Sequence, residues 1–213
     1  MNSPGFSEDC ACEQCQPWGC NGYLRLSRDL TELGRSYYPG MKTVLSTWMF
    51  DTPPEGEWQG LTDALTKREH GIDYILADSH EDFPRYPLEV GVPGQLPLLN
   101  FPEIRMWGDW PWGGFGANPL PGRFQRLWDQ VKQVVQGGFP YSEGINKDLN
   151  KAIVVQFCWD PKQTARSTLE EYIAYEFDSN ATEDVLAMID RSTARSRPIT
   201  LTTIASARHR AGP

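Results

Sequence analysis

The chain has 213 residues, of which 39% are hydrophobic and 23% charged, and its formal net charge is −8. With no basic face to displace counterions from phosphates, it is not a nucleic-acid binder. No apolar run approaches the roughly 18 residues that cross a bilayer. Aromatic residues make up 12%, with eight tryptophans, nineteen glycines and seventeen prolines. That mixture suits long, shaped loops rather than a helical bundle.

The N-terminal "MNSPGFSEDCACEQC" has neither a basic leader nor an apolar h-region, so no signal peptide is expected and the default location is cytoplasmic. Cys10, Cys12, Cys15 and Cys20 follow in the pattern C-x-C-x2-C-x4-C. Such clustering fits thiolate coordination of a structural zinc, with two local disulfides or packed thiols as the other readings.

Tyr23, Leu26, Leu30 and Leu33 stand at helical spacing, and Gly34 with Pro39–Gly40 closes that helix. "TVLSTWMF" (43–50) is β-rich and runs into Asp51 and a Pro-Pro breaker. "EWQGLTDALTKRE" puts Trp58, Leu61 and Leu65 on one helical face. "DYILADS" (73–79) and "LPLLNFPEI" (96–104) are the next strands. "RFQRLWDQVKQVV" repeats Phe124, Leu127, Val131 and Val134 at helical spacing, and "GGFPYSEG" (137–144) is a fourth strand-like run. The apolar runs are continuous rather than alternating, which predicts strands covered on both faces, as in parallel sheets.

Beyond these, "VVQFCWDP" (154–161) leads into two helices. Ser167 with Glu170, and Asn180 with Glu183, read as their capping boxes. The residues from Ser192 onward, including the most basic stretch of the chain, read as a loosely held, solvated tail. No repeat of fixed period occurs.

Strand and helix alternate in the rhythm of α/β folds, whose ligands sit at the carboxyl ends of the strands. Each strand has an acid at or just after that end: Asp51, Asp78, Glu103 and Glu143. Two carboxyl groups across one cleft are the minimum equipment for cleaving a glycosidic bond, one protonated as the acid and the other acting as base or nucleophile. Trp107, Trp110 and Trp112, released among glycines after Glu103, would wall such a pocket and stack on sugar rings, joined in binding the substrate by Trp48, Asp51, His80 and Tyr141. The competing readings are structural: tryptophans plugging a barrel mouth or a subunit contact, and acids capping helices or pairing with Arg85, Arg105 or Arg123. Cys158 reads as a core residue. Serine-hydrolase elbows, Walker loops, dinucleotide turns and H-E-x-x-H helices do not occur in the sequence.

"VVQFCWDPKQTARSTLEEYIAYEF" resembles the segment after the last barrel strand in alpha-glucuronidases of glycoside hydrolase family 67 and in their relatives that carry a domain of unknown function. "SEDCACEQC" resembles the cysteine-bearing loop after the fourth strand of those relatives. "DYILADSHEDFPRYP" and "PLLNFPEIRMWG" fall where family 67 places its sixth- and seventh-strand acids. The resemblance touches most of residues 5 to 178. It implies a (β/α)8 barrel of which this chain is the C-terminal half. Residues 1–153 would run from the fourth-strand end to the eighth strand, 154–191 would be a helical extension, and 192–213 the tail.

The resemblance further implies that Asp78 and Glu103 are the base-side pair and that Glu8 or Asp9 is the general acid. Glu143 rests on the strand-end argument alone, and uronic-acid specificity does not carry over. A complete barrel takes about 250 residues, so the expected partners are the missing half-barrel or a second copy, besides a carbohydrate. The isolated chain would be weakly active or inactive. The overall expectation is an O-glycosyl hydrolase needing no cofactor for catalysis. The alternatives are a non-catalytic carbohydrate-binding protein and a zinc-stabilised structural subunit.

Overall fold

The computed structural model describes residues 10–52, 55–66, 71–79, 82–105, 119–142 and 147–195. In chain order they form α1 (Leu24–Tyr37), β1 (Val44–Ser46), α2 (Glu57–Leu65), β2 (Tyr74–Ser79), α3 (Arg85–Glu89) and β3 (Leu98–Arg105). There follow α4 (Pro121–Val131), β4 (Val135–Gly138), β5 (Tyr141–Ser142), α5 (Asp148–Trp159), α6 (Ala165–Glu176) and α7 (Thr182–Arg195). One π-helical turn, Gly19–Tyr23, leads directly into α1.

The strands run β1-β2-β3-β4 in sheet order, every pair is parallel, and β5 adds to β3 beyond the end of β4. This is a mixed α/β fold with a four-stranded parallel sheet. The fourth strand-like run of the sequence splits at Phe139–Pro140, because proline has no N–H for the ladder.

Register decides what each face of the sheet carries. Leu45 pairs with Ile75, and Ile75 with Leu98, while Ala77 pairs with Asn100. Leu45, Ile75, Ala77, Leu98 and Ile104 all belong to the continuous core beneath the helices. On the other face Ser46 pairs with Leu76, Leu76 with Leu99, and Asp78 with Phe101. Period-two alternation puts Glu103 on that same face. Tyr74, Asp78, Leu99 and Phe101 are only half-buried there, and Val44 is exposed. The helices therefore cover one face fully, whereas the continuous apolar runs predicted two.

Helices α2 and α4 bury the expected stripes, Trp58, Leu61 and Leu65 in one and Phe124, Leu127 and Val131 in the other. Helix α1 forms as expected but turns a different face inward. Leu24 and Thr31 are buried while Leu30 and Leu33 are 55% and 57% exposed. The reason is polar: Thr31 Oγ1 shares a 2.9 Å hydrogen bond with Thr43 Oγ1, and Arg35 reaches Asp73 at 2.7 Å. Both partners flank the sheet, so they set the rotation of the helix.

The C-terminal caps are shifted from their expected positions. Thr164, not Ser167, is the N-cap of α6 and forms a reciprocal box with Ser167. Before α7, Asp178 accepts the N–H of Asn180 at 2.8 Å. The expected boundary at 153/154 falls inside α5, whose Ile153, Val154 and Phe157 share the one core. Cys158, expected in that core, is exposed at the end of α5. Its thiol is nonetheless pushed up by partial burial, and its sulfur lies against Gly138.

Candidate functional site

Asp51 lies five positions beyond Ser46, the last residue of β1. The chain leaves the strand in a tight turn in which Thr47 donates its N–H to Leu76 O at 2.9 Å and Phe50 donates to Thr47 O at 3.1 Å. Asp51 Oδ1 then accepts the indole N–H of Trp58 at 3.0 Å. Trp58 is itself fixed, edge-on to Phe50 at 5.4 Å and stacked on Tyr86 at 5.7 Å. The Asp51 carboxyl is raised above its ordinary value, first by partial desolvation and further by the charge of Asp78; the indole N–H opposes this. Asp51, in the turn after β1, thus feels the charge of Asp78 near the end of β2.

Glu103 is two residues beyond Phe101, the register partner of Asp78. Strand rise and strand spacing then put the Asp78 and Glu103 Cα atoms about 8 Å apart, on one face. Glu103 is buried, at 4% exposure. Its backbone carbonyl accepts from Arg123 Nη1 at 3.0 Å. Tyr141 is its register partner in β5, and the Tyr141 ring stacks on Phe101 at 5.5 Å. Trp48, half-buried, follows β1 with its N–H on Ser46 Oγ at 3.3 Å.

Among the described residues, Asp78 and Glu103 thus stand on one face of neighbouring strands with Tyr141 in register beside Glu103, while Trp48 and Asp51 follow β1. Glu8, Asp9, His80, Trp107, Trp110, Trp112 and Glu143 lie outside the described residues.

Two charged residues the sequence did not single out are buried. Lys147 is 1% exposed, at the N-terminus of α5 just after β5. In "INKDLNK" it reads as an ordinary surface lysine, and no local pattern marks it as buried. Glu57 is also buried, and its two carboxylate oxygens accept the N–H groups of Gly19 at 2.9 Å and Cys20 at 2.7 Å. It closes the start of the helical segment that becomes α1, where backbone donors otherwise lack partners.

The cysteine loop ends at that helix start. The sulfurs of Cys10, Cys12 and Cys15 lie within 4.8 Å of one another, a group that could hold a metal ion. Cys10 Sγ lies 3.4 Å from Cys12 Sγ, far longer than a disulfide bond. Cys12 is lowered to about 7, chiefly by hydrogen bonding to the Cys10 thiol and then to Cys15 and the backbone of Gln14 and Cys15. Cys15 is raised to about 11 by the thiols of Cys12 and Cys10.

Cys20 departs from the expected set of four. It is buried against α2, where a Cβ at Gly60 would collide with its sulfur. Burial, followed by the charge of Glu57, pushes its thiol up to about 12. The helix that starts at Gly19 carries Cys20 inward, away from the loop.

Among the described residues, no helix is long and apolar enough to cross a membrane. Compared with family models, curated proteins and solved structures, the chain matches none of them.

Proposed function

We propose that the chain cleaves O-glycosidic bonds with acids at the tips of its parallel strands, as one half of a (β/α)8 barrel. The observation that carries this reading is the placing of Asp78 and Glu103 near the carboxyl ends of neighbouring parallel strands, on one face, with Asp51 in the turn after β1 raised first by partial burial and further by the charge of Asp78. A carboxyl group whose proton affinity is raised is suited to donating a proton to a leaving group.

In this reading Asp51, oriented by the Trp58 indole, protonates the leaving oxygen. Asp78, with Glu103 behind it on the next strand, serves as base or nucleophile. Trp48, Tyr141 and Phe101 supply aromatic surface for sugar rings. No cofactor takes part in the chemistry. The sheet face that carries these groups is only partly covered, which supports completion of the barrel by a second half, either another chain or another copy.

The test is a panel of aryl glycosides with the wild-type chain and the amide variants D51N, D78N and E103Q, each at concentrations where the chain self-associates, since the isolated half is expected to be weakly active. Turnover is expected to fall by about 10²–10⁴-fold in D51N and D78N while sugar binding, read from tryptophan fluorescence, persists. Binding without turnover in every form, wild type included, would favour a carbohydrate-binding protein. Absence of both would end the carbohydrate reading.

A further inference from the structure

A second site, which the glycosidic chemistry does not use, lies in the loop before α1. We propose that Cys10, Cys12 and Cys15 form a three-thiolate site for a thiophilic dication of the zinc class, with its fourth position filled from the solvent side and Cys20 excluded. The geometry carries this. Three sulfurs converge within 4.8 Å, a spacing that suits one ion bound at about 2.3 Å to each sulfur. Cys10 and Cys12 are exposed and Cys15 is half-buried, so the ion would sit at the surface with one side open.

The loop is also built to hold that convergence. Cys15 and Gln16 both donate their N–H groups to Cys12 O, at 3.0 and 3.1 Å, in a C-x2-C turn. Gln16 Nε2 donates to Cys10 O at 2.7 Å, which ties the first cysteine to the turn. Asn21 Nδ2 donates to Gln16 O at 2.8 Å and Arg25 Nη2 to Gln14 O at 3.1 Å, so the helical segment grips the far side. Gly22 N donates to Cys15 O at 3.2 Å, and any side chain at Gly22 would strike the Trp18 ring.

Donor chemistry selects the metal. A site of thiolates alone disfavours magnesium and calcium, which take oxygen ligands, and suits zinc or other soft ions. Binding displaces three thiol protons to solvent. Three thiolates on a dication leave one negative charge, so a neutral fourth ligand such as water adds no further repulsion. The ion would cross-link the residue-10 end of the loop to Cys15. It would thereby staple the loop to the helix start that Glu57 anchors on α2.

The test uses the full chain, purified under reducing conditions and stripped with a chelator, and titrated with Zn2+ and Co2+. One equivalent of Zn2+ is expected to bind and to raise Tm. Co2+ is expected to give a thiolate-to-cobalt charge-transfer band. C10A, C12A and C15A should each weaken Zn2+ binding by at least about 100-fold, more than the loss of an outer-sphere partner produces, while C20A keeps wild-type affinity. Circular dichroism of each apo variant guards against unfolding. The proposal is overturned if no Co2+–thiolate band appears, if C20A loses the metal as the others do, or if thiol counting of the freshly reduced protein finds a spontaneous disulfide among the three. None of these readouts involves a glycoside, so its failure and that of the hydrolase reading are separable.

Discussion

Glu57 accepts the backbone N–H of Cys20 at 2.7 Å across 37 positions of sequence, and the next residue, Trp58, donates to Asp51 at 3.0 Å. One turn of α2 thus holds the cysteine-loop side of the molecule with one side chain and the acid of the turn after β1 with the next.

Removing that carboxylate should loosen the first connection. Glu57→Ala leaves two buried backbone donors without their acceptor and is expected to cost about 2–6 kcal/mol, at about 1–3 kcal/mol per donor. Glu57→Gln, which keeps one acceptor oxygen, should cost less. Urea denaturation measures both. Faster labelling of the Cys20 thiol in the alanine variant would show that the loss is local to the helix start.

The Asp51 environment makes a prediction with two opposite signs. Trp58→Phe removes the donor that favours the ionised carboxylate, so the Asp51 pKa should rise. Asp78→Asn removes the charge that disfavours it, so the Asp51 pKa should fall. Carboxyl carbon NMR titration of Asp51 in the two variants reads the shifts directly and needs no substrate. Shifts in the same direction would contradict the assigned causes.

Asp73 governs acid stability at the opposite end of β2. Desolvation pulls its pKa up, but the Thr43 N–H, Lys42 and Arg35 outweigh that and hold it below the ordinary 3.8. A lowered folded pKa means the stabilisation is fully present above the unfolded value and is lost as pH falls through the folded one. Asp73→Asn is expected to cost about 1–3 kcal/mol at neutral pH. It should also flatten the decline of stability below about pH 4, where the unfolded carboxyl begins to protonate. Equilibrium unfolding between pH 2 and 7 compares the two slopes.

Close packing of Cys20 on α2 predicts a non-additive pair. Gly60→Ala inserts a methyl into the Cys20 sulfur and should destabilise by about 1–3 kcal/mol. In the Cys20→Ala background the same substitution has room and should cost less. A double-mutant cycle by denaturant unfolding gives the coupling, and strict additivity would place the sulfur elsewhere.

The elements were legible wherever the chain states them locally. Trp58, Leu61 and Leu65 recur at helical spacing and are buried as that spacing requires. The apolar runs at 74–79 and 98–105 are strands, with Asp78 and Glu103 near their carboxyl ends. Helix α1 was legible as a helix but not in its orientation. Two stripes compete along it, and the one containing Thr31 and Arg35 wins because Thr43 and Asp73 await it. The cysteine cluster was legible as a cluster, but the burial of Cys20 follows from Gly60, 40 positions on in sequence, and the spacing of the cysteines says nothing of it.

By itself the sequence determined the strands β1–β3, helices α1, α2 and α4 and the placing of Asp78 and Glu103 near strand ends, though not α3 or α5, because periodicity and turn chemistry act within a few residues. Only the tertiary structure decided that Asp51 and Asp78 act on each other, that three thiols converge and the fourth does not, and that Glu57 and Lys147 are buried. Those outcomes depend on groups brought together from distant parts of the chain, where burial and neighbouring charge, rather than residue type, set the chemistry.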